Sequence, residues 1–156
     1  MFTRLETCFT VFPQHTNSLS PLIFGGAFFA EMDKAAAIAV RRLLYSSPTK
    51  CTNAVTHRAD VVFNKPCYQG DLIFLNAEIV KVGHNKSIVV NVKATRETFV
   101  DGPRRELIAD INFVFVSILD ESKVKDKPDM LPYYAHGITK EDIEAGKEAD
   151  EDNVWM

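Results

Sequence analysis

Two periods of apolar and polar residues divide this chain. From Gly26 to Leu44 or Tyr45 the apolar residues recur at helical spacing, and the stretch opens on Phe24-Gly25-Gly26. With Phe28 at 0° and a step of about 100° per residue, Glu31, Lys34, Arg41 and Arg42 fall in one sector between about 220° and 320°. Asp33 does not join them. It falls near ~140°, among Phe29, Ala36, Ala37, Val40 and Leu44 on the same wheel. Ser46-Ser47-Pro48 ends the helix.

Around this helix the period is that of strands. Leu5–Phe12 is a short β-rich run closed by Pro13, and His15–Pro21 is a polar loop. Thr52–Phe63 sets Val55, Ala59, Val61 and Phe63 on one alternation. Asp71–Val82 sets Ile73, Leu75, Ala77 and Ile79 on one face against Asn76 and Glu78. Ser87–Phe99 sets Ile88, Val90, Val92 and Ala94 against Asn91, Lys93, Thr95 and Glu97. Arg105–Ile118 is almost wholly apolar towards its end, the pattern of a central strand covered on both sides. Pro and Gly punctuate the connections 64–70 and 101–103, and short turns predict antiparallel neighbours. The expectation is an α+β fold, with an antiparallel sheet of five to six strands wrapped around one long central helix. Residues 1–119 form this domain. Residues 120–156 are expected to form a charged tail, in which Thr139-Lys140-Glu141-Asp142 would cap a short helix.

A carboxylate on an apolar helix face loses hydration when the helix packs, and needs a partner or a task. Asp33 is thus either a structural group, satisfied by an Arg or by backbone N–H groups, or a catalytic group tuned by its surroundings. Gly25 and Gly26 give the second reading weight. They lack Cβ atoms and stand where a helix leaves N–H groups unpaired, a place suited to a carbonyl oxygen that gains negative charge. Asp33 lies ~10 Å further along the same helix by its rise per residue. A substrate spans that gap, or a second subunit supplies the other half.

Composition removes other classes. A chain of 156 residues with net charge −3 has no basic footprint for nucleic acid. No apolar run reaches the roughly 18 residues of a membrane span, and residues 1–6 lack a signal-peptide layout. Cys8, Cys51 and Cys67 make an odd count without metal-ligand spacing, so a reduced, cytoplasmic setting without a metal is expected. Cys51 and Cys67 have no evident partner base as nucleophiles. His57 and Arg58 sit on one strand, and one of them points inward if that strand is buried on both faces.

Thr16-Asn17, then Ile23-Phe24-Gly25-Gly26, then Glu31-Met32-Asp33 and an alanine run resemble the signature of the hot-dog-fold acyl-CoA thioesterases. That family carries an Asn, a short loop, a Phe/His-Gly-Gly, and Met-Asp seven residues after the second glycine, which is the spacing from Gly26 to Asp33. Val62-Phe63-Asn64-Lys65-Pro66, Gln69-Gly70-Asp71-Leu72-Ile73, Lys81-Val82-Gly83 and Phe113-Val114-Phe115-Val116 are similar to further family segments. The resemblance covers about residues 5–118. One departure is the loop Ser18-Leu19-Ser20-Pro21-Leu22, where the family usually has a glycine and one residue fewer.

The resemblance implies a homodimer at least, or a tetramer or trimer of dimers, joined edge to edge with active sites built from both chains. It implies hydrolysis of an acyl-CoA thioester to free acid and CoA. Coenzyme A then enters as part of the substrate and no separate cofactor is needed. Asp33 would be general base or nucleophile, Asn17 would orient water or hold the thioester, and the Gly26 amide, with Gly25, would polarise the carbonyl. Phe24 belongs to the binding surface, His84 and Lys86 would meet the phosphates of CoA, and Phe28, Phe29 and Leu44 are candidates to line the acyl tunnel. The competing reading is a non-catalytic module on the same fold that binds acyl-CoA or acyl-carrier thioesters. His15, beside Asn17, is a further candidate.

Overall fold

The computed structural model describes residues 2–46, 53–82, 87–98 and 102–118. Among the described residues the one long helix, α1, runs from Gly25 to Ser46. Its buried residues, Phe28, Met32, Ala35, Ala36, Ala39, Val40, Leu43 and Leu44, form the stripe that the helical period predicts. The three small alanines let the helix approach the sheet closely. Ala37, expected on that stripe, is exposed, because it falls one step past its edge. The far end of α1 is tied to the chain start, where an Arg42 Nη donates to the Arg4 carbonyl at 2.8 Å.

Five antiparallel strands form the sheet: β1 (Arg4–Thr10), β2 (Asn53–Phe63), β3 (Leu72–Val82), β4 (Ser87–Thr98) and β5 (Arg104–Ile118). Their spatial order is β1-β3-β4-β5-β2, and α1 touches all five. The core lies between helix and sheet, where Ile73, Leu75, Ile79, Ile88, Val90, Val92, Ile111 and Phe113 are fully buried. This is the α+β arrangement expected from the periods.

Three expectations are corrected. β2 and β3 follow one another in sequence but do not pair, since β2 pairs with β5 at the far edge. The segment 64–71 therefore crosses the sheet over three strand spacings, ~14 Å. β5 is not covered on both faces within one chain. Ile111, Phe113 and Phe115 are buried under the helix, whereas Val114 and Val116 on the other face are only partly covered.

The third correction concerns β2. A bulge between Thr56 and Arg58 leaves His57 without a partner in the ladder. Thr56 opposes the buried Phe115 and Ala59 opposes the buried Phe113, so both face the helix. Val55 opposes Val116 and faces away from it, so Val55 does not share a face with Ala59, Val61 and Phe63. His57 and Arg58 are both exposed, since β2 is an edge strand, and Arg58 pairs with Asp60 at 3.1 Å. The structure of the tail expected for 120–156 lies outside the described residues.

Candidate active site

Two half-sites stand on the one helix. The first surrounds its N-terminus. Pro13–His15 makes a short 3-10 turn, and the chain then loops out and back, with a bridge between Thr16 and Ile23. Inside the loop the Asn17 N–H donates to the Leu22 carbonyl at 2.9 Å. At its base the Phe24 N–H donates to the His15 carbonyl at 2.8 Å. The Phe28 N–H donates to the Phe24 carbonyl at 3.0 Å. The amides of Gly25, Gly26 and Ala27 precede that bond, so they have no acceptor within the helix.

Asn17 is exposed, and its Oδ1 accepts the Leu19 N–H at 3.2 Å. Phe24 lies over the first turn of the helix. A Cβ at Gly26 would stand 2.8 Å from Phe24 Cε1, so the ring takes the space that glycine leaves.

Beside this turn opens an apolar cleft of about 240 Å³, whose lining includes Leu22, Ile23, Gly25, Phe28, Phe63 and Pro66. Phe28 and Phe63 stack with ring centroids 5.4 Å apart. Of the residues expected to line an acyl tunnel, Phe28 borders this cleft. Leu44 is buried in the core and Phe29 packs on Phe113, so neither lies on the cleft wall.

The cleft wall is pinned by charge. Segment 64–71 is laced to the loop by Ile23 N–H to the Cys67 carbonyl at 2.9 Å and Gln69 N–H to the Pro21 carbonyl at 2.8 Å. Arg96 on β4 donates to the Pro66 carbonyl at 3.1 Å, to Asp71 at 3.3 Å and to Glu106 at 2.7 Å. Lys65 also bonds Glu106. Donation from Lys65, then from Arg96, holds the Glu106 carboxyl down to about 2, from an ordinary 4.5. Cys67 is a buried part of the cleft lining, and its thiol is pushed up to about 12, first by burial and then by the Asp71 charge. It is no thiolate nucleophile at neutral pH.

The second half-site is Asp33, half-buried on the third turn of α1. Among the described residues, the partner of this carboxylate is neither an Arg nor a backbone amide. It is Thr56 of β2, whose hydroxyl donates to Asp33 Oδ1 at 2.7 Å. The bulge at His57 aims Thr56 at the helix. Sequence alternation had no means to single out Thr56, because it assigned that position to the solvent face.

Within one chain, then, Phe24, Gly25 and Gly26 stand together at the start of α1, Asn17 lies in the loop that leads into it, and Asp33 joins Thr56 about two turns further along α1. His84 and Lys86 lie outside the described residues. Among the described residues no three His, Cys, Asp or Glu side chains gather as a metal site, and no helix is long and apolar enough to cross a membrane.

Comparison with known proteins places this architecture. The model of the thioesterase superfamily matches residues 21–100, a span that holds both half-sites except Asn17. Acyl-coenzyme A thioesterase 11 of mouse is 31% identical over 132 residues, covering 84% of this chain and 20% of the mouse protein. The chain thus spans about one fifth of that relative's length. Among solved structures, a hexameric hotdog fold thioesterase of Campylobacter jejuni is 32% identical with a TM-score of 0.62, covering 74% of this chain and 83% of that one. The acyl-CoA hydrolase of Staphylococcus aureus, solved in complex with butyryl coenzyme A, coenzyme A and coenzyme A disulfide, is 25% identical with a TM-score of 0.65, covering 95% of this chain and 82% of that one. The helix and five-stranded sheet are thus a hot-dog fold, and the chain belongs to the thioesterase superfamily.

Proposed function

We propose that this chain is an acyl-CoA thioesterase that hydrolyses an acyl-CoA to free acid and CoA, with its active site shared between two chains. The observation that carries the reading is Asp33: a half-buried carboxylate, fixed through Oδ1 by Thr56, on the helix that opens with the Gly25–Gly26 amides. The butyryl coenzyme A and coenzyme A held by the Staphylococcus aureus relative support the substrate class. That hydrolase has also been solved with an Asp-to-Ala and with an Asn-to-Ala substitution, the residue types singled out in this site.

The chemistry follows from the parts. Asp33 Oδ2 takes a proton from water as its oxygen attacks the thioester carbonyl carbon. The carbonyl oxygen becomes negative and is met by the helix-start amides, Gly26 first and Gly25 beside it. The C–S bond then breaks, the leaving thiolate takes up the proton that Asp33 removed from water, and acid and CoA leave with Asp33 again a carboxylate. A thiolate departs readily, so a base and an oxyanion donor suffice. No separate cofactor enters, and CoA is part of the substrate. Asn17 orients the water or the thioester. Phe24 flanks the carbonyl, and His84 and Lys86 take the phosphates.

Because Asp33 and Gly26 stand about two helical turns apart, a second chain brings its Asn17 and glycine elements to this Asp33. The exposed edge of β2, which carries Thr56, is where the chains join. The pairing makes a homodimer, extended to a tetramer or trimer of dimers, in a reducing cytoplasmic setting.

Asp33→Asn tests the reading. On a panel of acyl-CoA substrates followed with a thiol-reactive dye, turnover falls by about 10²- to 10⁴-fold. The parent rate in Asp33→Asn would sink the mechanism. The second reading, a binding module without catalysis, draws on one observation: the Asn17 carboxamide oxygen is turned onto its own loop. It requires saturable binding of the CoA ester with no thiol release.

A further inference from the structure

We propose that His15 is a positioning residue that sets the Asn17 loop against the start of α1. The proposal rests on the thioesterase reading for its activity assay. His15 is fixed from three directions. Its Nδ1 accepts the Phe12 N–H at 2.9 Å, which puts the ring proton on Nε2. Nε2 faces Glu31 Oε1 on α1 at 3.7 Å, and that same oxygen accepts Lys34 Nζ at 2.7 Å. The ring stands edge-on to Phe9 of β1 at 5.7 Å and stacks on Phe12 at 6.2 Å. The side chain is 17% exposed and that of Glu31 is 19% exposed, so the contact is sheltered.

The backbone of the same residue carries the link. Its carbonyl accepts the Phe24 N–H, immediately before Gly25. The loop 16–23 leaves the fold at His15 and returns at Phe24. Residues 17–21 are all exposed, and the loop is held on its returning side by the bonds of Pro21 and Ile23 to segment 64–71, so its outgoing side is set at His15. Where the loop that carries Asn17 meets the start of α1 therefore depends on where His15 sits. Removing the ring leaves the Phe12 N–H without its acceptor and opens the space between Phe9 and Phe12, so the hinge of the loop loosens. A displacement of about 1 Å between reacting groups is enough to slow chemistry by as much as ~10²-fold.

The test separates the two sides of the ring. Asn retains an acceptor at the place of Nδ1, whereas Gln places its amide towards Nε2 and gives that acceptor up. The expected result is a kcat loss of about 10- to 100-fold in His15→Ala and His15→Gln, with KM changed far less, and recovery to within a few-fold of the parent in His15→Asn. The double variant His15→Ala with Asn17→Ala turns over no more slowly than Asn17→Ala alone, because His15 acts through the loop. Thermal unfolding of each variant is measured alongside. If His15→Ala does not fold, the Asn and Gln variants carry the comparison.

Parent kcat in His15→Gln would overturn the inference, and so would multiplicative losses in the double variant. Asn17→Ala at the parent rate would overturn it as well, since the loop would then hold nothing for His15 to place. None of these results touches the role of Asp33, which stands or falls on Asp33→Asn.

Discussion

The hydroxyl of Thr56 lies 2.7 Å from Oδ1 of Asp33, and the contact exists because β2 carries one extra residue at His57. Without the bulge, the pleat would turn Thr56 to the side that Val55 and Arg58 occupy. With it, an edge strand reaches the helix and fixes one oxygen of a half-buried carboxylate. The other oxygen is then aimed by the geometry of a strand rather than by a mobile side chain.

This contact gives the first prediction. Thr56→Val keeps the shape and removes the donor, while Thr56→Ser keeps the donor. A hydrogen bond to a charged group contributes about 1.5–3 kcal/mol, so Thr56→Val is expected to lower kcat about 10- to 100-fold and Thr56→Ser by a few-fold at most. Equal rates for parent and Thr56→Val would leave Thr56 without a part in the reaction.

The close seat of the helix gives the second. Ala36 is fully buried and faces the sheet, and Ala37, the next residue, is exposed. Ala36→Leu overfills that interface and is expected to destabilise the fold by about 1–3 kcal/mol. Ala37→Leu is expected to stay within about 0.5 kcal/mol of the parent. Urea unfolding of the two variants measures the difference. A negligible change in Ala36→Leu would contradict the close approach.

Cys67 gives the third. With the thiol held up at about 12 by burial, it stays protonated and enclosed at neutral pH. In a Cys8→Ser, Cys51→Ser background a thiol-reactive dye is expected to leave Cys67 unlabelled until denaturant is added. Rapid labelling of the native protein at pH 7 would show that the wall of the cleft opens.

The helix, its buried stripe and the core faces of β3 and β4 were legible in the sequence, because each rests on a period that a single segment carries by itself. Asp33 stood out for the same reason, as a charge on the wrong side of that period. What escaped was set by relations between segments. The bulge at His57 follows from the pairing of β2 with β5, which no local pattern in 52–63 announces. Thr56 was hidden with it, and Val55 was placed on the wrong face. The position of β2 at the far edge depends on the crossing segment 64–71, and that path is fixed by Arg96 and Glu106, distant in sequence, which hold its Pro66 carbonyl and its Lys65.

The edge of β2 gives the fourth prediction. Val55 is 48% exposed and Val62 is 55% exposed on the strand that stands at the edge of the sheet among the described residues. Lysines on an edge discourage pairing with a second chain. The double substitution Val55→Lys, Val62→Lys is expected to lower the mass measured by light scattering to that of the single chain, and turnover is expected to vanish with it. A parent protein that is monomeric and active would end the shared-site reading.

The Glu106 cluster gives the last, through its dependence on pH. The carboxyl sits near 2 in the folded chain, against an ordinary 4.5, because Lys65 and Arg96 donate to it. A carboxyl lowered by folding is bound by more protons when the chain is unfolded. Its contribution to stability is therefore fully present above about 4.5, and is lost as pH falls from there through about 2. Glu106→Gln removes the charge at every pH. The stability gap between parent and Glu106→Gln, read from urea unfolding, is thus expected to be constant from pH 7 to 5 and to shrink steadily between about 4.5 and 2. The same loss frees Arg96, which also holds the Pro66 carbonyl, so the cleft wall loosens over that range and Cys67 becomes open to a thiol reagent that works in acid. A gap as wide at pH 2.5 as at pH 7 would mean that Glu106 is not held by these two cations, and that segment 64–71 is fixed by its backbone bonds alone.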